Sequence, residues 1–170
     1  MSEVLIKRSD KKAFYGVPTD GGTTFTRMRY FTEFSTSKNP GEYARQYVDE
    51  PTERTDVVSY SPSMSFNFDE YHGDKVLEDI VEVINREMLG TDAQRDIVLV
   101  DFTKPTGGGY EAIKRTFAII ADSEGGSMDA YTYGGTFKAV GTSVFGVATI
   151  ATPDGGDSET VETITFVEGE

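Results

Sequence analysis

The segment 57–69, VVSYSPSMSFNFD, alternates large apolar residues with small hydroxyl and amide residues. Because successive side chains of a β-strand point to opposite faces, this alternation predicts a strand with one apolar and one polar face. Strand faces that merely meet water usually carry Lys, Glu, Thr and Arg. Short uncharged side chains therefore indicate a surface that binds other molecules weakly. The polar face consists of Ser59, Ser61, Ser63, Ser65 and Asn67.

The whole sequence predicts a mainly β protein, an antiparallel β-sandwich or barrel with one flanking α-helix. Segment 23–37 predicts a long strand whose alternation slips near Tyr30, which indicates either a bulge or an interface on both faces. Segment 74–88 predicts the helix, because apolar residues recur there at helical spacing and Asp74 suits the N-cap. Further strands are predicted at 14–17, 95–102, 110–122, 128–141, 143–152 and 160–167, with a tight corner at Gly141–Thr142, and 4–8 is expected to be a short strand or an arm.

A length of 170 residues favours one domain over the whole chain, 1–170. Two segments are expected to stand apart from its core: an N-terminal arm at about 1–12 and a polar connector loop at about 38–56. Connections as long as the second are usually functional or mobile. The N-terminus lacks the apolar core of a signal peptide and no run approaches membrane-spanning length, so we expect a soluble protein.

Charge is distributed unevenly along a chain whose net charge is −13. Residues 1–48 have a net charge of +3, whereas residues 49–120 and 121–170 have −8 each. Ordinary solubility explains any single charge, but the asymmetry also allows the basic end of one copy to meet the acidic end of the next. Tight wrapping of nucleic acid is disfavoured, since phosphate binding needs clustered Lys and Arg.

Catalytic arrangements are missing from the sequence. His72 is the only histidine, and no GxSxG motif accompanies it, so a Ser-His-Asp triad has little support. Asp69 and Glu70 are adjacent on a predicted strand, where their side chains point apart and do not flank one glycosidic bond. The chain also has no cysteine, which excludes disulfides and thiolate chemistry. We therefore predict that the protein is not an enzyme.

Glycine runs and acidic turns give no cofactor or metal site either. The runs at 107–109 and 125–126 are not followed by the Lys-Ser/Thr of a phosphate-binding loop. The acidic turns at 122–129 and 154–159 do not have the spacing of an EF-hand. We predict no cofactor and no metal.

Three segments resemble the major tail proteins of long-tailed bacteriophages. The longest is Lys38 to Tyr71, KNPGEYARQYVDEPTERTDVVSYSPSMSFNFDEY, and the others are AFYGVP at 13–18 and YGGTFKAVGTSVFGVATI at 133–150. The resemblance implies a tail tube protein with a β-sandwich or barrel and a flanking helix. Six copies would form a ring in which neighbouring sheets join around a channel, and rings would stack head to tail.

The same resemblance implies the partners and the location. Besides other copies of itself, the protein would meet the tape-measure protein and the tail terminator and distal tail proteins. DNA would pass through the channel without specific binding. The protein would reside in the tail of the virion, after assembly in the cytoplasm of the host.

Two sets of site residues follow for such a tube. Ser59, Ser61, Ser63, Ser65 and Asn67 are candidates to face the channel, although one sequence does not tell an inward face from an outward one. The connector supplies candidates for contacts between subunits, because Tyr and Arg are favoured interface anchors. These candidates are Asn39, Pro40, Tyr43, Arg45 and Tyr47.

Other functions remain open at this point. A carbohydrate- or surface-binding β-sandwich would explain the many aromatic residues. A tube subunit of a tail-like bacteriocin would share every feature of the phage protein. An acidic hydrolase built on Asp69, Glu70 and His72 is a third alternative, without an obvious substrate.

Overall fold

The computed structural model describes residues 3–153, 155 and 161–169. In this part of the chain the fold is mainly β, with antiparallel strands and one α-helix, as the sequence predicted. The elements are β1 Lys11–Thr19, β2 Gly22–Arg27, β3 Phe31–Ser37, β4 Pro40–Arg45, β5 Arg54–Tyr60, β6 Ser63–Asp69, α1 Lys75–Asn85, β7 Gln94–Thr106, β8 Gly109–Glu124, β9 Thr132–Thr152 and β10 Thr163–Glu168, with short 3-10 turns at Arg8–Asp10 and Gly90–Ala93.

Eight strands form one sheet in the order β10-β2-β1-β7-β8-β9-β6-β3. β10 also pairs with the C-terminal part of β9, which closes six of these strands into a barrel. β6 pairs with the N-terminal part of β9 and carries β3 on its other side. In the described residues β3 is therefore the free edge of the eight-stranded sheet, while β4 and β5 form a separate two-stranded sheet.

Two apolar cores lie on opposite faces of the sheet. Strand alternation directs one set of side chains into the barrel, where they pack together: Phe14, Val98, Val100, Ala112, Ala148 and Ile164. The other face packs against α1, which buries Val76, Leu77, Ile80 and Val83. The strands contribute mainly aromatic rings to this second core, Tyr15, Phe66, Phe68, Phe117, Tyr133 and Phe137.

The helix begins where the sequence predicted. The Asp74 side chain accepts hydrogen bonds from the backbone N–H groups of Val76 and Leu77, which satisfies two otherwise unpaired donors of the first turn. On the side of α1 that faces the sheet, the Tyr15 hydroxyl donates to Asp79, and Arg95 Nε donates to Asp79 Oδ2 at 2.9 Å. Burial and the Asp79 carboxylate raise the pKa of Tyr15 far above its ordinary value. This triad fixes α1 to β1 and β7.

Two predicted long strands are each divided in the structure. Segment 57–69 separates at Ser61–Pro62 into β5 and β6, which belong to different sheets. Proline has no N–H to donate to a ladder, and Pro62 lies where the chain leaves the main sheet. Segment 23–37 separates at Tyr30, which adopts a positive φ of 67° between β2 and β3. The slip in alternation therefore marks the end of one strand and the start of the next, and the register of β3 with β6 shifts just beyond it, between Phe31 and Glu33.

Three other boundaries differ from the predictions. Residues 4–7 have no regular structure, so the strand alternative for 4–8 is wrong. The predicted loop 38–56 contains strand at both of its ends, since β4 and the first three residues of β5 fall within it. The predicted corner at Gly141–Thr142 lies inside β9, where a bulge places Gly141 to Ser143 opposite Arg115 alone, and the Arg115 guanidinium donates to the Gly141 carbonyl oxygen. The predicted last strand starts outside the described residues, at Thr160, and its described part is β10.

Candidate assembly surfaces

Residues 40–60 form a projecting hairpin in which β4 and β5 pair only with each other. It continues the β3–β6 pair, because the register runs from Ser37 opposite Ser63 to Pro40 opposite Tyr60. Every residue of β5 is exposed. Six strand residues at about 3.3 Å each give the projecting hairpin a length of roughly 20 Å.

Asn39 and Pro40 form the joint at the base of the projecting hairpin. Asn39 adopts a positive φ of 46°, which Asn tolerates better than most residues. Its side-chain amide donates to the Ser61 carbonyl oxygen at 3.1 Å and to Ser63 Oγ at 3.0 Å. These contacts connect the two strands where the chain bends away from the main sheet. The sequence placed both residues at a subunit contact, and the structure gives them a local role in setting the direction of the hairpin.

Tyr43, Arg45 and Tyr47 come together, as expected for an interface cluster. The Arg45 guanidinium lies 4.9 Å from the centroid of the Tyr43 ring and 5.7 Å from that of Tyr47. Arg45 Nε donates to the Tyr47 hydroxyl oxygen at 3.2 Å, and Asp56 forms a salt bridge with the same guanidinium. The hydrogen bond with Tyr47, followed by that with Asp56, raises the pKa of Arg45. All of these contacts form within a single chain.

Large apolar side chains on the projecting hairpin are left in water. Val48 is fully exposed, and Val58 exposes 64% of its surface. Isolated two-stranded hairpins are marginally stable in water, and exposed apolar side chains on their two faces are available for burial against another surface. Six such side chains are exposed on this element: Tyr43, Tyr47, Val48, Val57, Val58 and Tyr60.

A second surface lies on the main sheet, opposite the face that α1 covers. On β6 the buried residues Met64, Phe66 and Phe68 alternate with Ser63, Ser65 and Asn67. Residues in register on neighbouring strands point to the same side, so the polar set extends to β3 and β9. We call this surface the hydroxyl face; it comprises Ser35, Ser37, Ser63, Ser65, Asn67 and Thr136.

Ser59 and Ser61 do not belong to the hydroxyl face. Ser59 lies on β5, opposite Gly41, and Ser61 lies in the joint between β5 and β6. The predicted row of five polar residues is therefore wrong as a single surface. Its C-terminal three residues are correctly placed on one face. The other two became separated because the chain changes sheets at Pro62.

The free edge of β3 is a third unpartnered surface. Its backbone pairs with β6 on one side only in the described chain. Open edges of this kind accept strands from other chains. Sequence reasoning did not find this edge, because the order of strands in a sheet is not encoded in one segment. It also missed the hairpin as an element, although two short strand-like runs flank the polar segment 46–53.

The described residues contain few groupings of side chains that could form a chemical site. In residues 3–153, 155 and 161–169, no three His, Asp or Glu residues lie close enough together to hold a metal ion. In the same ranges, none of the helices has the length and hydrophobicity that crossing a membrane requires. His72 is fully exposed, 4.0 Å from a carboxylate oxygen of Glu78.

Comparison with known proteins adds no relative to this geometry. The chain matches no protein-family model and no curated protein.

Proposed function

We propose that this protein is the structural subunit of a bacteriophage tail tube. Copies form hexameric rings that stack head to tail, and the genome passes through the resulting channel to the host cell. The observation that carries the proposal is the projecting hairpin, which exposes six large apolar side chains and pairs with no other strand of the described chain. The resemblance to major tail proteins supports the same assignment.

Burial of the projecting hairpin against another copy would stabilise an assembly considerably. Complete burial of one Val, Leu or Phe side chain contributes about 1.5–3 kcal/mol. Because all of the six except Val48 already bury about a third to a half of their surface, burial of the exposed part of Val48 and two others would contribute roughly 3–6 kcal/mol before the costs of association. An element this apolar is consistent with an interface that forms at high local concentration during assembly.

The free edge of β3 supports a head-to-tail arrangement. Rings require heterologous contacts, in which two different surfaces of the same chain meet. The projecting hairpin and the β3 edge are different surfaces, and both lack partners in the described chain. A strand from a neighbouring subunit that paired with β3 would extend the eight-stranded sheet across the boundary between copies.

The hydroxyl face suits the wall of a channel for DNA. Its side chains are short and largely uncharged, so they offer few charge-assisted contacts to phosphate. The charge of −13 over the chain adds repulsion of a polyanion. Lys138 and Glu33 border the face in register with Ser63 and Asn67, which leaves this edge of the surface near neutral.

Electron microscopy and light scattering of the purified protein test the proposal. At high concentration we expect rings or hollow tubes, with a mass that rises in multiples of the ring. The double variant Val57→Lys, Val58→Lys should remain monomeric, because it places charge on the apolar surface of the hairpin. Leu89→Lys is the matched control, since Leu89 is 82% exposed but lies beyond α1. A wild-type protein that stays monomeric at every concentration would overturn the proposal.

A carbohydrate-binding module is a second candidate, favoured by one observation. The Tyr30 and Tyr71 rings stack with centroids 3.9 Å apart, and both are exposed beside a groove next to the start of α1. Exposed aromatic faces of this kind can stack on sugar rings. Glycan-array binding that is lost in Tyr30→Ala and Tyr71→Ala would support this function. Tube formation with no glycan bound would favour the tail tube.

A tube subunit of a tail-like bacteriocin would form the same tubes. The presence of DNA in native particles would distinguish a phage from such a bacteriocin.

A further inference from the structure

A groove of about 1210 Å³ lies between the wall of the barrel, the N-terminal segment and β3. Its floor contains a row of apolar residues in register across three strands, Leu99 on β7, Ile113 on β8 and Phe145 on β9. Their exposed fractions are 37%, 38% and 66%. We call this surface the barrel groove.

The floor of the barrel groove continues the face of the sheet that α1 covers elsewhere. Ile97 and Leu99 are two residues apart on β7, so their side chains point to the same side. Ile97 is buried in the core under α1, whereas Leu99 is exposed. The helix of 11 residues covers only part of this face. A row of apolar side chains is thus left without a cover.

Positive charge surrounds this apolar floor. Five basic and two acidic side chains line the barrel groove, a net charge of +3 in a chain of net charge −13. Salt bridges neutralise Lys11, Lys12 and Lys104. Among the described residues, the side chains of Lys7 and Arg8 form no salt bridge, and Arg8 lies over the Phe34 ring. The N-terminal segment of the rim therefore presents two cationic side chains without a salt-bridge partner in the described chain, although the Asp10 carboxylate accepts a hydrogen bond from the Lys7 backbone N–H nearby.

The projecting hairpin has the complementary properties. Residues 40–60 contain five acidic and two basic residues, a net charge of −3. At the tip, 46–53, Glu50 forms a salt bridge with Arg54, whereas Asp49 and Glu53 form none within the described chain, and the fully exposed Val48 lies next to these acids. The apolar side chains of the hairpin are flanked by acidic residues, and the apolar floor of the groove is flanked by basic residues. Complementary charge of this kind steers association and selects partners.

We propose that the projecting hairpin of one copy docks into the barrel groove of a second copy. This inference rests on the proposed function and names the two surfaces that meet. Val48 lies against the row of Leu99, Ile113 and Phe145, and the acidic tip lies beside Lys7 and Arg8. Because the hairpin and the groove are different surfaces, each copy inserts its hairpin into one neighbour and receives the hairpin of another. The contact therefore propagates head to tail.

The walls of the barrel groove support a strand as the occupant. Phe34, Ser35 and Thr36 of β3 form one wall, and β3 has its free edge there. An entering strand can therefore form backbone hydrogen bonds with β3 while its alternate side chains face the apolar floor. A hairpin, with an open edge on each of its strands, meets both requirements.

Disulfide trapping tests this contact directly, since the wild-type chain has no cysteine. The double variant Val48→Cys, Phe145→Cys should give a ladder of covalent oligomers on a non-reducing gel after mild oxidation. A mixture of the two single variants should give cross-linked dimers of unlike chains but no ladder. Val48→Cys combined with Leu89→Cys is the control, and it should give no ladder. A control ladder as strong as that of the Phe145 pair, or none with either pair, would overturn the docking.

Charge exchange tests the electrostatic half of the proposal. Two double variants reverse the charge, one on each surface: Lys7→Glu with Arg8→Glu in the groove, and Asp49→Lys with Glu53→Lys on the hairpin. Each should raise the concentration needed for assembly about tenfold or more. A one-to-one mixture of the two variants should restore assembly, because each reversed groove then meets a reversed hairpin. Failure of the mixture to recover would contradict the pairing.

The two proposals can fail separately. If the wild-type protein forms tubes but the Val48→Cys, Phe145→Cys variant gives no cross-linked ladder, the tail tube proposal stands and this docking mode is overturned. If that variant gives a ladder but the wild-type protein forms neither rings nor tubes, the docking proposal stands and the tail tube proposal is contradicted. Absence of both assemblies and cross-links would overturn both.

Discussion

The barrel with its helix and the projecting hairpin differ in what holds each of them in shape. The barrel has an apolar core inside and a second one under α1, so its strands bury residues on both faces. The hairpin buries neither face and is held by cross-strand pairing and by the cluster around Arg45. One region folds on contacts of its own, whereas the other exposes the apolar surface that a partner would cover.

Aromatic residues occur in both regions and do not by themselves distinguish a core from an interface. The Phe66 and Phe137 rings stack with centroids 4.3 Å apart in the core, and both are buried. The Tyr43 and Tyr47 rings flank Arg45 and are about half exposed. The difference lies in the layer above each strand: α1 and the main sheet cover one set, and solvent covers the other.

The largest expected effect comes from the core under α1. Phe137→Ala should lower the free energy of unfolding by about 3–5 kcal/mol, because it removes a fully buried ring and leaves a cavity. Phe145→Ala is the matched control on the same strand, and since Phe145 is 66% exposed its cost should stay below about 1 kcal/mol. Denaturant unfolding of dilute, monomeric protein measures both. Equal costs would contradict the assignment of Phe145 to an uncovered surface.

The attachment of α1 to the sheet should give the next largest effect. Asp79→Ala removes the acceptor of Tyr15 and Arg95 and leaves a buried hydroxyl and a largely buried guanidinium without it. Removal of one partner from a buried ion pair typically costs about 3 kcal/mol. Glu82→Ala breaks the exposed pair of Glu82 with Arg86 on the same helix and should cost less than about 0.5 kcal/mol. Similar costs for the two variants would mean that the triad contributes no more than a surface pair.

Alkaline pH should loosen the same attachment through Tyr15. Its pKa is raised in the folded state above the ordinary value of 10.0, mainly by burial. The stabilisation is therefore fully present below pH 10 and is lost as the pH rises further, because the unfolded state releases the proton first. The slope approaches about 1.4 kcal/mol per pH unit. Tyr15→Phe should flatten the decline between pH 10 and 12 in denaturant titrations, and an unchanged slope would refute a protonated, buried Tyr15.

The sequence predicted those parts of the fold that depend on local patterns. The N-cap at Asp74, the alternation of Met64, Phe66 and Phe68, and the class of fold were all correct, since each is written in the spacing of neighbouring residues. The division of 57–69 was missed because both sides of Pro62 continue the same alternation. Only the change of partner, from β4 to β9, shows that the strand has changed sheets.

The candidate surfaces were predictable to the same extent. Tyr43, Arg45 and Tyr47 were predicted as interface candidates from residue type alone, and the structure brings the three side chains together, with Tyr47 just beyond the end of β4. The hydroxyl face could be found only in part, because Ser35, Ser37 and Thr136 join it through pairing between distant strands. The barrel groove was out of reach for the same reason: Leu99, Ile113 and Phe145 are far apart in sequence and meet only through register.

The smallest expected effect on the monomer comes from the projecting hairpin, and it bears most directly on the contrast between the two regions. Val57→Thr together with Val58→Thr keeps the β-branched shape and replaces exposed methyl groups by hydroxyls. Because both side chains are already in water, the free energy of unfolding of dilute protein should change by less than about 0.5 kcal/mol. The concentration needed for assembly should nevertheless rise several-fold, since the apolar surface to be buried is smaller. Light scattering against concentration measures the second effect and denaturant unfolding the first. A loss of monomer stability above about 1 kcal/mol would place these valines inside the folding unit, and the hairpin would no longer be a surface reserved for a partner.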